Sequence, residues 1–430
     1  MLLTKSYAEA YVDDPSSVTL SQFTELEDTA AAILSRCELP LYLDGVEILS
    51  AKSAKHLQQH KGGFLSLDSL HVLSPWAAHS LSLYSGDLSV GCLYSASLSG
   101  AILRARGGSL VLDESEQVTM LTDEEAEWLR SYNEDVLWLD GLTQVSDAGL
   151  GSLSCHAGTC LSLNGLKDLT PGAAHSLSKY QGDLYLDGLT SLPESVADAL
   201  ARQSGQKLTL NGVTGLTDAA AMRLSERKKH LLNTPSVLAL RSLADLSLVA
   251  AEHLACFAGQ VDVSAEKLDA YLVDIIRKKV LTATFVKRMI VGQSEKPVWE
   301  REPVNLAGFR QLQDSAAQAI VESGHPAWFL DCIEELSDGT VEILCQLRGD
   351  LRLNGLLILS DSAANSLSKH RHNLFLNGLT SLTDAAAESL SRHRGQKIVL
   401  RGITHLSQAA IRSLGRYEGK LCIDQRFRQC

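Results

Sequence analysis

The chain has 430 residues and a formal net charge of −12, with 39 Lys+Arg against 51 Asp+Glu, and this acidic balance argues against general binding to nucleic-acid phosphates. Hydrophobic residues at 45% suffice for a continuous core, while aromatics at 5% mean that Leu, Ala, Val and Ile must build it. Residues 1–15 carry Lys5, Glu9, Asp13 and Asp14 without an apolar run, unlike a signal peptide, and no stretch approaches the ~20 apolar residues of a membrane span.

In chain order, residues 1–17 read as an N-terminal cap segment, and from residue 18 a unit of roughly 23 residues recurs about seventeen times. Its starts fall at Val18, Leu41, Leu65, Leu88, Leu110, Leu137, Leu161, Leu184, Leu208, Leu238, Val261, Leu281, Val304, Trp328, Leu351, Leu374 and Ile398, before a terminal strand at Leu421. Most intervals are 22 to 24; those of 27 after Leu110, 30 after Leu208 and 20 after Val261 read as loop insertions or erosion of single units. The organisation expected is repeats over 18–264, a degenerate basic region over 265–303, repeats over 304–420, and a terminal strand and tail over 421–430.

The clearest unit runs Leu374-Phe375-Leu376-Asn377-Gly378-Leu379, then Leu382-Thr383-Asp384, Ala386-Ala387 and Leu390, and the same classes stand 23 residues earlier from Leu351 to Leu367. Leu-x-Leu alternates, so its leucines share one side of a short strand and the intervening residue faces the other way. Asn-Gly or Asp-Gly then predicts a turn, because Gly tolerates positive φ and Asn or Asp bonds nearby backbone. Ser/Thr-Asp predicts a helix start, with the hydroxyl capping free N–H groups and the Asp at the positive end of the helix dipole. The small Ala pair lets the helix approach the strand layer closely, and one such unit buries its apolar side only by stacking on neighbours.

The pattern L-x-L-x-x-L-x-x-L-[ST]-D-x-x-[AL]-x-x-L resembles leucine-rich repeats. It is most similar to the cysteine-containing subtype in an Ala-rich bacterial-type variant, with Leu or Ile at the subtype's Cys slot (Leu166, Leu189, Leu356, Leu379, Ile403). The resemblance covers about residues 18–423 and implies an α/β solenoid of horseshoe form, with a parallel strand layer on the concave side and short helices on the convex side. Eukaryotic relatives often carry an F-box and bacterial effector ligases a catalytic domain; neither is expected here, from the short segments outside the repeats.

Stacking sets the outward strand residues in two columns. One contains Tyr42, Trp138, Tyr185, Phe329, Arg352 and Phe375; the other contains Asp44, Asp140, Asp187, Asn354, Asn377 and Arg401. Rigid rings beside polar groups suit protein recognition, so these twelve residues are the candidate partner-binding set. Turn chemistry equally explains the Asp/Asn column, and strands favour aromatics on exposed faces. Calcium is not expected there, since neighbouring rungs stand ~4.8 Å apart and many of the groups are neutral amides.

The degenerate region supplies a second candidate surface, a basic island of Arg277, Lys278, Lys279, Lys287 and Arg288, extended by Lys296 and Arg301 against Glu295 and Glu300. An eroded repeat with a solvated loop over 292–303 explains it as well. His60, His370 and His393 recur where other units carry Tyr84, Tyr180 or Tyr417, which suggests packing or capping at helix C-termini. Nine cysteines, at 37, 92, 155, 160, 256, 332, 345, 422 and 430, stand singly without C-x-x-C, and are expected to be mostly reduced core residues.

The function these features favour is a non-catalytic, cytoplasmic protein-interaction scaffold that binds a protein partner through the concave strand face. It is expected to use no cofactor or metal and to bind no nucleic acid. Two alternatives stand beside it: a bacterial effector with an enzymatic activity centred on the 265–303 segment with Cys256 or His253, secreted without a cleavable signal, and a structural protein that self-associates through its end units.

Overall fold

The structure is a computed structural model and describes residues 1–90, 97–105, 118–227, 236–291, 304–306, 308–325, 328–424 and 427. These residues form two compact units, one up to Val213 and the other from Thr214 onward. The expected unit start at Leu110, Cys92, Cys430, and Lys296 and Arg301 of the basic island lie outside the described residues.

Within each unit the Leu-x-Leu segments pair as parallel strands, rung on rung. The first unit holds the ladders Leu41↔Leu65↔Leu88 and Leu137↔Leu161↔Leu184↔Leu208. The second holds Leu238↔Val261, Val304↔Trp328 and Leu351↔Leu374↔Ile398↔Leu421. Leucines spaced at roughly 23 residues thus occupy equivalent places, buried beside the Ala pairs of short helices that pack side by side on the other face. Each unit is an α/β leucine-rich-repeat solenoid, a parallel strand layer backed by helices of seven to nine residues.

A second set of two-residue strands, just ahead of the helices, pairs Leu3↔Leu26, Leu49↔Leu73 and Leu121↔Val145 in the first unit, and Leu216↔Leu246 and Leu281↔Leu312 in the second. It corrects two expected unit starts. Val18 opens no strand: the chain there runs into a 3-10 turn at Leu20–Gln22, and the buried Phe23 packs against Tyr7 at 5.1 Å. The cap segment before it holds a strand, Leu2–Leu3, and a helix, Lys5–Asp13, which together make the second half of a repeat.

Leu281 belongs to the second ladder, so the repeat that begins at Val261 continues beyond it. No glycine follows Val263 to allow the usual close turn; instead an extra helix, Ala270–Lys278, starts at Asp269, whose side chain accepts from Tyr271 N at 2.8 Å, and ends at Lys279 with φ 54°. The following helix, Ala283–Val291, is capped by Thr282, which also donates to Glu252. In regular repeats that donation reaches the first helical residue of the neighbour, so the stack here has slipped by about one helical turn.

Two local devices join the repeats. The cap hydroxyl accepts from the third helical amide and donates to the Asp that opens the previous helix: Thr170 accepts from Ala173 N at 3.0 Å and reaches Asp147 at 2.7 Å, and Ser337 reaches Asp314 at 2.9 Å. The glycine of Asp/Asn-Gly is required for a different reason from the one expected. Among the described glycines only Gly63, Gly324 and Gly349 have positive φ, whereas a Cβ on Gly355 would lie 2.5 Å from the Asp331 carbonyl of the previous repeat. Close backbone approach, not left-handed geometry, fixes these glycines.

Candidate functional site

The strand face brings the aromatic candidates together in pairs and stacks. In the first unit Trp138 and Tyr185 flank the small, buried Ser162, and their rings lean across it to 6.3 Å. Lys207, from the next rung, places its ammonium 4.8 Å from the centre of the Tyr185 ring and donates to its hydroxyl at 3.3 Å. Tyr42, exposed, meets Phe64 at 5.6 Å.

The second unit carries a longer arrangement. Arg352 places its guanidinium 5.3 Å from the Phe329 ring and 5.4 Å from the Phe375 ring, and Lys397 stands 5.3 Å from Phe375 on the other side. Ring, guanidinium, ring and ammonium thus alternate across four successive rungs, with Asp331 3.5 Å from Arg352 Nε. All three rungs from Phe329 to Phe375 are half-buried, so each group keeps part of its surface in water. Lys207 and Lys397 were not among the candidates from sequence. Their signal was present: each opens its strand, two residues before the position level with the aromatic of the preceding rung, and therefore lies on the same face.

The Asp/Asn column lies on the same face but is occupied by the next repeat. Asp140 accepts from Asn164 N at 3.0 Å and from Ser162 Oγ at 2.5 Å; Asp187 accepts from Asn211 N at 2.9 Å. Asp44 accepts from Ser66, Asp331 from the Asn354 amide at 2.7 Å, Asn354 from Asn377 N at 3.2 Å, and Asn377 from Arg401 N at 3.1 Å. One side-chain oxygen per rung thus serves a backbone N–H of the rung above, and several of the remaining groups are paired as well: the second Asp187 oxygen accepts from the Asn211 amide at 3.1 Å, and the Asn164 amide donates to Ser162 Oγ at 3.0 Å. The Arg401 side chain stands exposed. Among the described residues no three His, Cys, Asp or Glu side chains gather where they would hold a metal ion.

The basic island is mostly tied into the slipped repeat. Arg277 donates to Val263 O at 2.6 Å, Lys279 to Phe257 O, and Lys278 pairs with Asp274 at 3.0 Å. Arg288 lies 3.1 Å from the fully buried Glu252, whose carboxyl burial pushes upward in pKa. Lys287 is exposed on the same helix.

The histidines line up at helix C-termini facing carbonyls of the preceding repeat. His370 sets its two ring nitrogens 3.1 Å from Cys345 O and 3.0 Å from Gly349 O, while Tyr180 and Tyr417 donate to Gly158 O and Gly395 O at 2.9 and 2.6 Å. Burial lowers the pKa of His370 and of His393. The cysteines differ from expectation: Cys37 and Cys422 are buried, but Cys160, Cys256 and Cys345 are half-buried and Cys155 and Cys332 exposed. Several sit at helix ends rather than on the inward stripe. Burial pushes the Cys256 thiol up to about 12, the opposite of what an activated nucleophile needs.

No protein-family model matches the chain, and no curated protein matches it. Solved structures do. An internalin from Listeria monocytogenes is 15% identical over 66% of this chain and 74% of its own, with a TM-score of 0.24. A leucine-rich-repeat protein of Leptospira interrogans is 14% identical over 97% and 86%, with a TM-score of 0.18, and Toll, from the Drosophila Toll–Spatzle complex, is 14% identical over 71% and 41%, with a TM-score of 0.26. At these scores the fold assignment rests on this chain's own strand register, and no helix among the described residues is long and apolar enough to cross a membrane.

Proposed function

We propose that the chain is a protein-interaction scaffold whose partner lies along the strand face, and that the Phe329–Arg352–Phe375–Lys397 ladder is its principal anchor. The observation that carries this reading is the alternation itself: rings hold the guanidinium in a fixed orientation while leaving it half in water. A pre-oriented Arg between aromatic rings loses little side-chain entropy on binding, and Arg and aromatic residues dominate the energetics of protein interfaces. Arg352, Lys397 and Arg401 against Asp331 make this patch basic on an acidic chain. It therefore suits a partner segment that carries carboxylates beside apolar side chains.

The test is affinity capture from source-organism lysate with wild-type protein and with the Trp138→Ala, Tyr185→Ala, Phe375→Ala variant. A partner captured by wild type and lost by the variant supports the reading; equal capture by both overturns it. The enzymatic alternative centred on Cys256 is disfavoured by the raised pKa of that thiol.

A further inference from the structure

The helix side of the first unit holds a cluster that the strand-face reading does not use. Trp76 and His79 lie three residues apart on the helix Pro75–Ser82; Trp128 lies on the helix Asp123–Ser131, and Tyr132 follows it directly. Trp76 meets Trp128 at 6.5 Å with the ring planes 84° apart, and His79 meets Tyr132 at 6.2 Å and 89°. Trp128 and Tyr132 stand 4.9 Å apart, closing the third side. The Trp128–Tyr132 pair is tilted by 33° and His79 stands 5.8 Å from Trp128 at 56°, so the two near-perpendicular pairs leave a corner between them. A cavity of about 200 Å³ occupies that corner, with Glu134 on its wall. Trp128 is buried at 2% exposure while Trp76 remains 44% exposed, so the cavity has a fixed back and an accessible lip.

We propose that this cavity is a binding site for a quaternary ammonium group. The π faces of indole and phenol rings attract cations, and a desolvated cage of several rings does so most strongly. The surroundings have the complementary sign. Glu134 is the one charged group on the cavity wall, and the helix that carries Trp128 is acidic: it holds Asp123, Glu124, Glu125 and Glu127 against Arg130, which pairs with Glu127 at 3.1 Å. Burial keeps His79 toward its neutral form, so the imidazole adds no competing charge.

The same geometry discriminates among cations. A primary ammonium carries three N–H donors, and a cage of ring faces with one carboxylate leaves some of them unsatisfied at a desolvation cost. A trimethylammonium group has no donors and loses little hydrogen bonding on entry. The group is equally that of a small choline-like metabolite or of a trimethylated lysine side chain.

The experiment is isothermal titration, with tryptophan fluorescence in parallel, of the full chain with tetramethylammonium, choline, a trimethyllysine peptide, the same peptide unmodified, and 3,3-dimethylbutan-1-ol as the uncharged isostere of choline. Saturable binding of the quaternary compounds is expected, with the isostere and the unmodified peptide at least about tenfold weaker. Trp76→Ala should weaken choline about tenfold, and Glu134→Gln less, each with an unchanged circular-dichroism spectrum. Tighter binding of the trimethylated peptide than of choline assigns the site to a protein side chain; the reverse order assigns it to a metabolite. Equal binding of choline and its uncharged isostere, or no saturable binding of any quaternary compound, overturns the proposal without reference to the variants.

Discussion

Replacing Gly355 by Ala tests the rule that inter-repeat glycines are fixed by contact rather than by φ. The added Cβ would lie 2.5 Å from Asp331 O and 2.9 Å from Ile333 O, whereas contact becomes ordinary at 3.4 Å, so one repeat must move by about 0.9 Å relative to the next. That movement strains the Asn354 bonds to Asp331, one of which is 2.7 Å long. Overpacking of this kind costs about 1–3 kcal/mol and a lost hydrogen bond about 1 kcal/mol more, for a total of roughly 3 kcal/mol. Two comparisons isolate the cause. Gly324 has φ +59° and nothing within 4 Å of a new Cβ, so Gly324→Ala should cost only the left-handed penalty, about 1 kcal/mol. Gly151 lies inside the helix Asp147–Leu153 with only Ser176 Oγ near, at 3.8 Å, so Gly151→Ala should stabilise by about 0.5–1 kcal/mol. Urea unfolding followed at 222 nm ranks the three. A cost for Gly355→Ala no greater than that for Gly324→Ala would refute the reasoning.

Thr170→Val keeps the shape of the cap but removes its bonds to Ala173 N and Asp147; a loss of about 1–2 kcal/mol in urea unfolding is expected, and a neutral result would mean that the inter-repeat bond contributes nothing. For His370 and His393 burial lowers the folded-state pKa below 6.5, so the unfolded chain binds more protons, and stability is fully present above pH 6.5 and lost as pH falls through the folded value. Gln203 stands at the equivalent position and donates to Tyr180 O and Gly182 O, so His370→Gln with His393→Gln should flatten stability measured from pH 7.5 to about 5.5, whereas an unchanged slope would place the titration elsewhere. In thiol labelling of the folded protein mapped by mass spectrometry, Cys155 and Cys332 should react before Cys256 and Cys345, whose thiols burial holds near about 12; preferential labelling of Cys256 would revive an enzymatic reading.

The strand rungs were legible because their signal is repeated: each described start from Leu41 to Val261 and from Val304 to Leu421 pairs with at least one neighbour in the expected register. Leu281 misled because Val280-Leu281 followed by Thr282 carries the same apolar-then-cap pattern as the second ladder, and only pairing with Gln311–Leu312 tells the two ladders apart. The glycine requirement was legible but its cause was not, since close approach depends on the neighbouring repeat. For the candidate site, sequence gave the columns yet not their state. It could not show that each Asp or Asn already serves the next rung, or that Arg352 lies between two rings. The helix-side cage escaped because its rings come from segments about fifty residues apart; the spacings Trp76/His79 and Trp128/Tyr132 were the available hint.

The most direct measurement of the central claim is the affinity of the captured partner for single variants on the two faces of the second unit. Phe375→Ala and Arg352→Ala on the strand face should each weaken binding by tenfold or more, a loss of about 1.4 kcal/mol, while Gln318→Ala on the helix Asp314–Glu322 should leave it within about twofold. Loss at Gln318 with full affinity at Arg352 and Phe375 would contradict a strand-face scaffold.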